Sequence, residues 1–313
     1  MSTEQRLSGD VVLMTNVARR FHLHGQSKSE IGAALGLSRF RVARILQAAL
    51  DQGIVRIEIG LPGAVNAAIS DQLRAAFGID VAVVVEVDEQ PLAPLLRSLS
   101  LATAELLGEA LTSNDVLGLA SARSILNIGE ELVAFPACTV VQLTGAVSRP
   151  DALDIIQAIR DLTRVGGGEA RVFYAPIISS DSAAGLRRNP DVQRAAELFP
   201  RITTAVVGVG QWRPGLSTVH DVVSPADQAA AAAAGVEIEV AGILLDGAGR
   251  PAPTPLAERT LAPTFEQLMA IPQRVAVTFG TARTAAVATA LRTGVVNALI
   301  THRAMAEQLL AQA

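Results

Sequence analysis

Beyond residue 65 the chain alternates short Val/Ile-rich runs with amphipathic segments, and this alternation constrains its fold more than any other feature. The runs are 81–87, 115–120, 138–143, 170–175, 203–209, 236–245, 274–279 and 295–300. The segments between and after them, 92–111, 125–133, 153–162, 190–198, 282–291 and 303–310, carry apolar residues at helical spacing. Near-continuous apolar runs suit strands buried on both faces, and strands separated by helices pair in parallel. The reading is therefore an α/β domain on a mostly parallel sheet. Alanine is abundant and aromatic residues make up only 3% of the chain, so close helix packing is expected.

The front of the chain is patterned differently. Ser27 is placed to cap a helix, with Glu30 completing a capping box, and Ile31, Ala34 and Leu35 give that helix one apolar face. Gly36 supplies a turn, because a residue without a Cβ takes positive φ at little cost, and Leu37 plugs the angle. Ser38 then caps a second helix in which Val42, Ile45, Leu46, Ala49 and Leu50 face inward. An upstream helix over 11–23 offers Leu13, Met14, Val17, Ala18 and Phe21 as a third wall.

This is the spacing of a helix-turn-helix, whose second helix meets base edges in the major groove. Ser38, Arg39, Arg41 and Arg44 are left pointing outward, with Ser27 and Lys28 at the start of the preceding helix as further DNA contacts. A guanidinium pairs bidentately with guanine or clamps a phosphate, whereas a merely solvated helix face mixes signs. Phe40 either touches a thymine methyl or packs on the first helix, and packing is the expectation. Residues 53–59 alternate as a half-buried strand, a minimal wing, and the Gly- and Pro-rich stretch after them is a linker. The expected organisation is a winged helix-turn-helix over 1–60, a linker over 61–65, and an effector-binding and oligomerisation domain over 66–313.

Charge follows the same division. Residues 1–60 carry a net +3 and the remainder a net −7, so only the front is suited to a phosphate backbone. Cys138 is the single cysteine, which excludes an internal disulfide and argues against a metal cluster; a reducing cytoplasm is the expected home and no metal is expected. The first ten residues are polar and no run of 18 uncharged apolar residues occurs, so neither secretion nor membrane spanning is expected. Lys28 is the only lysine, so no lysine Schiff base can form in the large domain and effector binding is expected to be non-covalent, with no cofactor.

In an open parallel sheet a ligand sits outside the carboxyl ends of the strands, where loops lead into helices. Three loops stand there. The first, Gly118 to Ser124, leaves a strand with small residues, the hydroxyls of Ser121 and Ser124, and Arg123; backbone N–H groups, a positive helix end and a guanidinium suit a phosphate. The second contains Gly208 and Gly210. The third, from Phe279 through Gly280 to Arg283, repeats the order of strand, small residue, hydroxyl and arginine.

These pieces resemble the SorC-type regulators, the sugar-binding branch related to the deoxyribonucleoside regulators, over essentially the whole chain. The matching stretches include LSRFRVARILQAALDQGIVRIEI, DVLGLASARS, VVQLTGAV with Gly145, FYAPIISSD, AVVGVGQW, AGILLDGAGRP and, most specifically, FGTARTAAVATALRTGVVNALITHRAMAEQLL. The resemblance implies a winged helix-turn-helix followed by a domain similar to the ribose-phosphate isomerase and glucosamine-phosphate deaminase fold, binding a sugar or polyol phosphate. It implies a phosphate loop at Gly118 to Ser124 and Asp246 at effector hydroxyls. Because a single reader of this size rarely binds tightly alone, a homodimer or homotetramer on double-stranded operator DNA is expected as well. Asp154 is a further carboxylate placed to line the pocket. Two departures bear on the anion: Ala122 replaces a family glycine, and Arg283 stands where the family usually has lysine.

The alternative is an isomerase or deaminase carrying a DNA-binding domain. Such chemistry needs an acid and a base at the substrate carbonyl, and beyond the linker the histidines are His220 and His302 alone. His302 reads more simply as a helix start, so no catalytic residue is expected.

Overall fold

The computed structural model describes residues 7–55, 65–129, 132, 134–147 and 155–313. The chain divides into two compact units, Met1–Gly60 and Leu61–Ala313.

The first unit holds α1 (Leu7–His22), α2 (Lys28–Leu35) and α3 (Arg39–Asp51). The capping box forms: the Ser27 hydroxyl accepts from the Glu30 N–H at 3.2 Å while the Glu30 carboxylate accepts from the Ser27 N–H at 2.8 Å. Gly36 takes φ 65° at the end of α2, and the Ser38 hydroxyl accepts from the Arg41 N–H to start α3. Val17, Ala18, Ile31, Val42 and Leu46 form the small core, with Leu13, Phe21, Leu35 and Leu37 packed on it. One inward position differs from expectation. Ala34 is exposed and Gly32 is buried instead, because a Cβ on residue 32 would lie 2.6 Å from the Leu37 carbonyl oxygen. The expected wing falls mostly outside the described residues, and its described part, Gly53 to Val55, is a turn and a bend.

The second unit begins α4 (Ala67–Phe77), β1 (Val81–Val85), α5 (Leu92–Ala110), β2 (Val116–Leu119), β3 (Thr139–Gln142), α6 (Ile155–Gly166) and β4 (Glu169–Arg171). It continues α7 (Ala183–Arg187), α8 (Pro190–Ala196), β5 (Thr204–Val207), β6 (Val209–Gln211), α9 (Pro225–Ala233), β7 (Ile238–Val240) and β8 (Ile243–Leu245). It closes α10 (Pro255–Arg259), α11 (Phe265–Met269), β9 (Gln273–Val277), α12 (Thr284–Arg292), β10 (Ala298–His302) and α13 (Arg303–Leu310). Seven strands form one sheet in the order β1-β10-β9-β5-β2-β3-β4, and every pairing in it is parallel.

Successive residues of each central strand enter opposite cores. Ala205, Val207, Ala276 and Leu299 join the face covered by α4, α8, α12 and α13. Val206, Val275, Val277 and Ile300 join the face covered by α5 and α6. Both faces are apolar, which is why the strands read as continuous runs. Among the described residues no helix is long and apolar enough to cross a membrane.

Three expected elements differ. Run 203–209 is cut at Gly208, where the chain leaves the large sheet as β5 and enters a three-stranded antiparallel sheet as β6. Run 236–245 folds back on itself as β7 and β8 through Ala241 and Gly242, at φ 51° and 80°, the signs of a two-residue hairpin turn. Segment 125–133 contains no helix among its described residues. Residues 123–129 form successive turns, with Ile125 N–H on the Ala122 carbonyl and Ile128 N–H on the Ile125 carbonyl, because Ser121 and Ser124 are tied sideways to other loops.

Candidate functional site

β5 lies between β9 and β2, and the chain leaves β2 toward β3 on one side and β9 toward β10 on the other. The strand order thus reverses at β5, and the loops after β2, β5 and β9 open a crevice there. The crevice is lined by residues 121–124, 208–210, 215–218 and 277–279 together with Asp221, Glu239, Ala241 and Arg283.

The loop after β2 is fastened at both ends. The Ser121 N–H donates to the Thr144 hydroxyl at 2.9 Å, and the Ser124 hydroxyl donates to the Val277 carbonyl at 2.5 Å. Between them Ala122 is buried, and a Cβ on Gly208 would lie 2.6 Å from its Cβ. Ala122 does not take positive φ; Gly208 yields the space instead. Arg123 is exposed, and among the described residues it has no ion pair or hydrogen bond.

The opposite wall is built on β6 and β7. Gly210 pairs with Glu239, and a Cβ at 210 would lie 3.0 Å from the Leu216 carbonyl oxygen, so this glycine lets loop 215–218 lie on the strand. That loop covers Glu239, leaving it 7% exposed. The Glu239 carboxylate accepts from the Ser217 hydroxyl at 3.1 Å and the Gly242 N–H at 2.8 Å, and backbone N–H groups of Val219 and Thr218 also point to it. Burial pushes its carboxyl above the usual range, and these donors oppose the shift.

Arg283 reaches across from the turn after β9. Its guanidinium donates to the carbonyls of Leu216 at 2.9 Å, Gly215 at 2.8 Å and Phe279 at 2.9 Å, and stacks on the Phe279 ring. Burial, and then the charge of Arg123, hold its pKa below the ordinary arginine value. Arg283 is therefore a strut between two walls as well as a lining residue. Gly280 permits it: at φ 87° a side chain there would be strained, and its Cβ would lie 2.6 Å from an Arg283 nitrogen. Beneath this turn His302 is fully buried, its Nε2 accepts from the Gly280 N–H at 3.3 Å, and burial lowers its pKa.

Of the expected effector residues, Ser121, Arg123, Ser124, Gly208, Gly210 and Arg283 come together in the crevice and Gly280 supports it. The structure does not bring Gly118, Gly145 and Asp246 to its lining. Gly118 lies within β2 against Leu143, and a Cβ at Gly145 would run into the Pro176 carbonyl. Asp246 closes its own turn, accepting from the Ala248 and Arg250 N–H groups and pairing with the Arg250 guanidinium at 3.0 Å. Asp154 lies outside the described residues. Neither His220 nor His302 lines the crevice, whereas Ser217, Thr218, Asp221, Thr278 and Glu239 do, unforeseen.

On α3 the side chains of Arg39, Arg41 and Arg44 are exposed. Ser27 and Ser38 spend their hydroxyl oxygens as caps, and the Lys28 ammonium lies 5.6 Å from the Phe21 ring centre. Phe40 does not pack: it is 80% exposed. Its position, four residues before Arg44, puts it on the side of α3 opposite buried Val42, Leu46 and Ala49.

Residues 64–311 match the family model described as "Putative sugar-binding domain". The chain belongs to the SorC-type family of sugar-binding transcriptional regulators. It is 27% identical to the uncharacterized transcriptional regulator YjhU of Escherichia coli K12, over 93% of this chain and 92% of that protein. It is 23% identical to the sorbitol operon regulator of Klebsiella pneumoniae, over 97% and 99%. The crystal structure of full-length SorC from Klebsiella pneumoniae superposes with a TM-score of 0.83 at 21% identity, covering 97% of this chain and 99% of that one. A domain of a possible sugar-binding transcriptional regulator from Arthrobacter aurescens TC1 superposes at 0.69 and 24% identity, covering 80% of this chain and all of that domain.

Proposed function

We propose that this SorC-type regulator binds operator DNA through α3 and is controlled by a sugar or polyol phosphate held non-covalently in the crevice at β5. The observation that carries the effector assignment is the division of the crevice. One rim offers Arg123, whose guanidinium has no hydrogen bond or ion pair among the described residues, and the opposite wall offers the buried Glu239 with Ser217 and Thr218. A phosphate suits the first, and sugar hydroxyls, which both donate and accept hydrogen bonds, suit the polar lining of the second. Because residues 123–129 are turns, the phosphate would be held by loop N–H groups and Arg123 rather than by a helix end.

A homodimer or homotetramer would present two copies of α3 to successive major grooves of a near-palindromic operator. The effector then acts by favouring one arrangement of the readers over another, which requires unequal affinity for the two. Titration calorimetry of the full chain against matched phosphorylated and free sugars and polyols tests the effector class. The reading expects at least one phosphorylated member to bind and its free counterpart to bind far more weakly. Binding of free sugars as tightly as their phosphates, or turnover of a sugar phosphate, would overturn it.

A further inference from the structure

Phe40 is the most exposed of the large apolar side chains among the described residues, at 80%. It stands on the second helical position of α3, directly after Arg39 and before Arg41, and one turn ahead of Arg44. The Ser38 cap fixes that turn, so the ring's direction is set by the helix rather than by a loose end. Among the described residues none of the three arginines has an ion pair, which leaves an aromatic ring inside a patch of uncompensated positive charge.

An apolar protein partner would have to desolvate three guanidinium groups to reach the ring. Duplex DNA neutralises them. In its major groove the apolar group on offer is the thymine 5-methyl. We propose that Phe40 is a base-reading residue that packs on a thymine methyl within the operator half-site, beside a guanine held by Arg44. Four helical residues advance about 6 Å and stacked bases are about 3.4 Å apart, so the thymine lies one or two base pairs from that guanine. The inference rests on the DNA-binding reading and adds to it one residue and one base.

Exchanging thymine for deoxyuridine removes the methyl and leaves every hydrogen-bonding edge unchanged. The full chain would first enrich a sequence from a random duplex library, and that duplex would be remade with each thymine replaced singly by deoxyuridine. At one thymine per half-site the exchange should weaken binding about four-fold, the worth of one buried methyl-sized group. Phe40→Ala should bind the thymine duplex more weakly and no longer distinguish it from the deoxyuridine duplex at that position, while Phe40→Leu should keep part of the discrimination. An unchanged thermal midpoint confirms that the variants fold. Indifference of the native chain to deoxyuridine at every position, or discrimination retained by Phe40→Ala, overturns the role of Phe40 and leaves DNA binding standing. Failure of the native chain to enrich any sequence overturns both.

Discussion

At the scale of single residues the crevice separates groups already committed to the protein from groups still open to a ligand. Arg283 gives three donors to carbonyls, whereas Arg123 gives none among the described residues. Arg123→Ala should therefore cost effector affinity on the order of 1.5 to 3 kcal/mol, the range for a charged hydrogen bond, with little change in thermal midpoint. Calorimetric titration reads the first and scanning calorimetry the second, and unaltered affinity would remove Arg123 from the site. His302 carries a pH dependence. Its folded pKa is depressed by burial below 6.5, so its neutral form belongs to the folded state. The corresponding stability is whole above about 6.5 and is lost as pH falls through the depressed value. Protonation also ends acceptance from the Gly280 N–H. The thermal midpoint of the native chain should fall more between pH 7 and pH 5 than that of His302→Asn, and parallel curves would assign the titration elsewhere.

Elements were legible wherever one local pattern decided them. The capping box at Ser27 and the left-handed turn at Gly36 follow from residues a few positions apart, and both are present. The signal fails where distant segments compete. In VEIEV, Glu239 alternates with apolar neighbours as a solvent-facing residue would, yet loop 215–218 covers it from more than 20 positions away, permitted by Gly210. Likewise 125–133 has helical spacing, but the Ser121 and Ser124 bonds to Thr144 and Val277 hold it in turns. Apolarity predicts burial for Phe40, whereas its place on the helical wheel points it outward. The packing of two loops offers a direct test. Gly208→Ala brings two methyl carbons to 2.6 Å and should destabilise by about 1 to 3 kcal/mol, the usual cost of overpacking. Adding Ala122→Gly should recover much of that loss, so the double variant should be more stable than the two single effects sum to. Additive denaturation midpoints would show that the 122–208 contact does not limit the loops' approach.

For the whole molecule, the net +3 of residues 1–60 against the net −7 of the rest gives the two functions different physical signatures. DNA affinity should fall steeply with salt through release of counterions, whereas effector binding, made in a crevice by a few directed groups, should fall less. Arg44→Ala should weaken operator binding and leave the free chain's effector affinity unchanged, since that residue lies on α3 and the crevice in the other unit. Loss of both would mean damage to the fold. Coupling is then a matter of thermodynamic necessity. If saturating effector changes operator affinity by some factor, saturating operator must change effector affinity by the same factor, whichever way the regulator is switched. Titrating each ligand in the presence and absence of the other, at one salt concentration and one protein concentration, measures both factors independently. Equal factors different from one establish that effector and operator control each other's binding, and factors of one would leave two binding activities on a single chain with no control of either by the other.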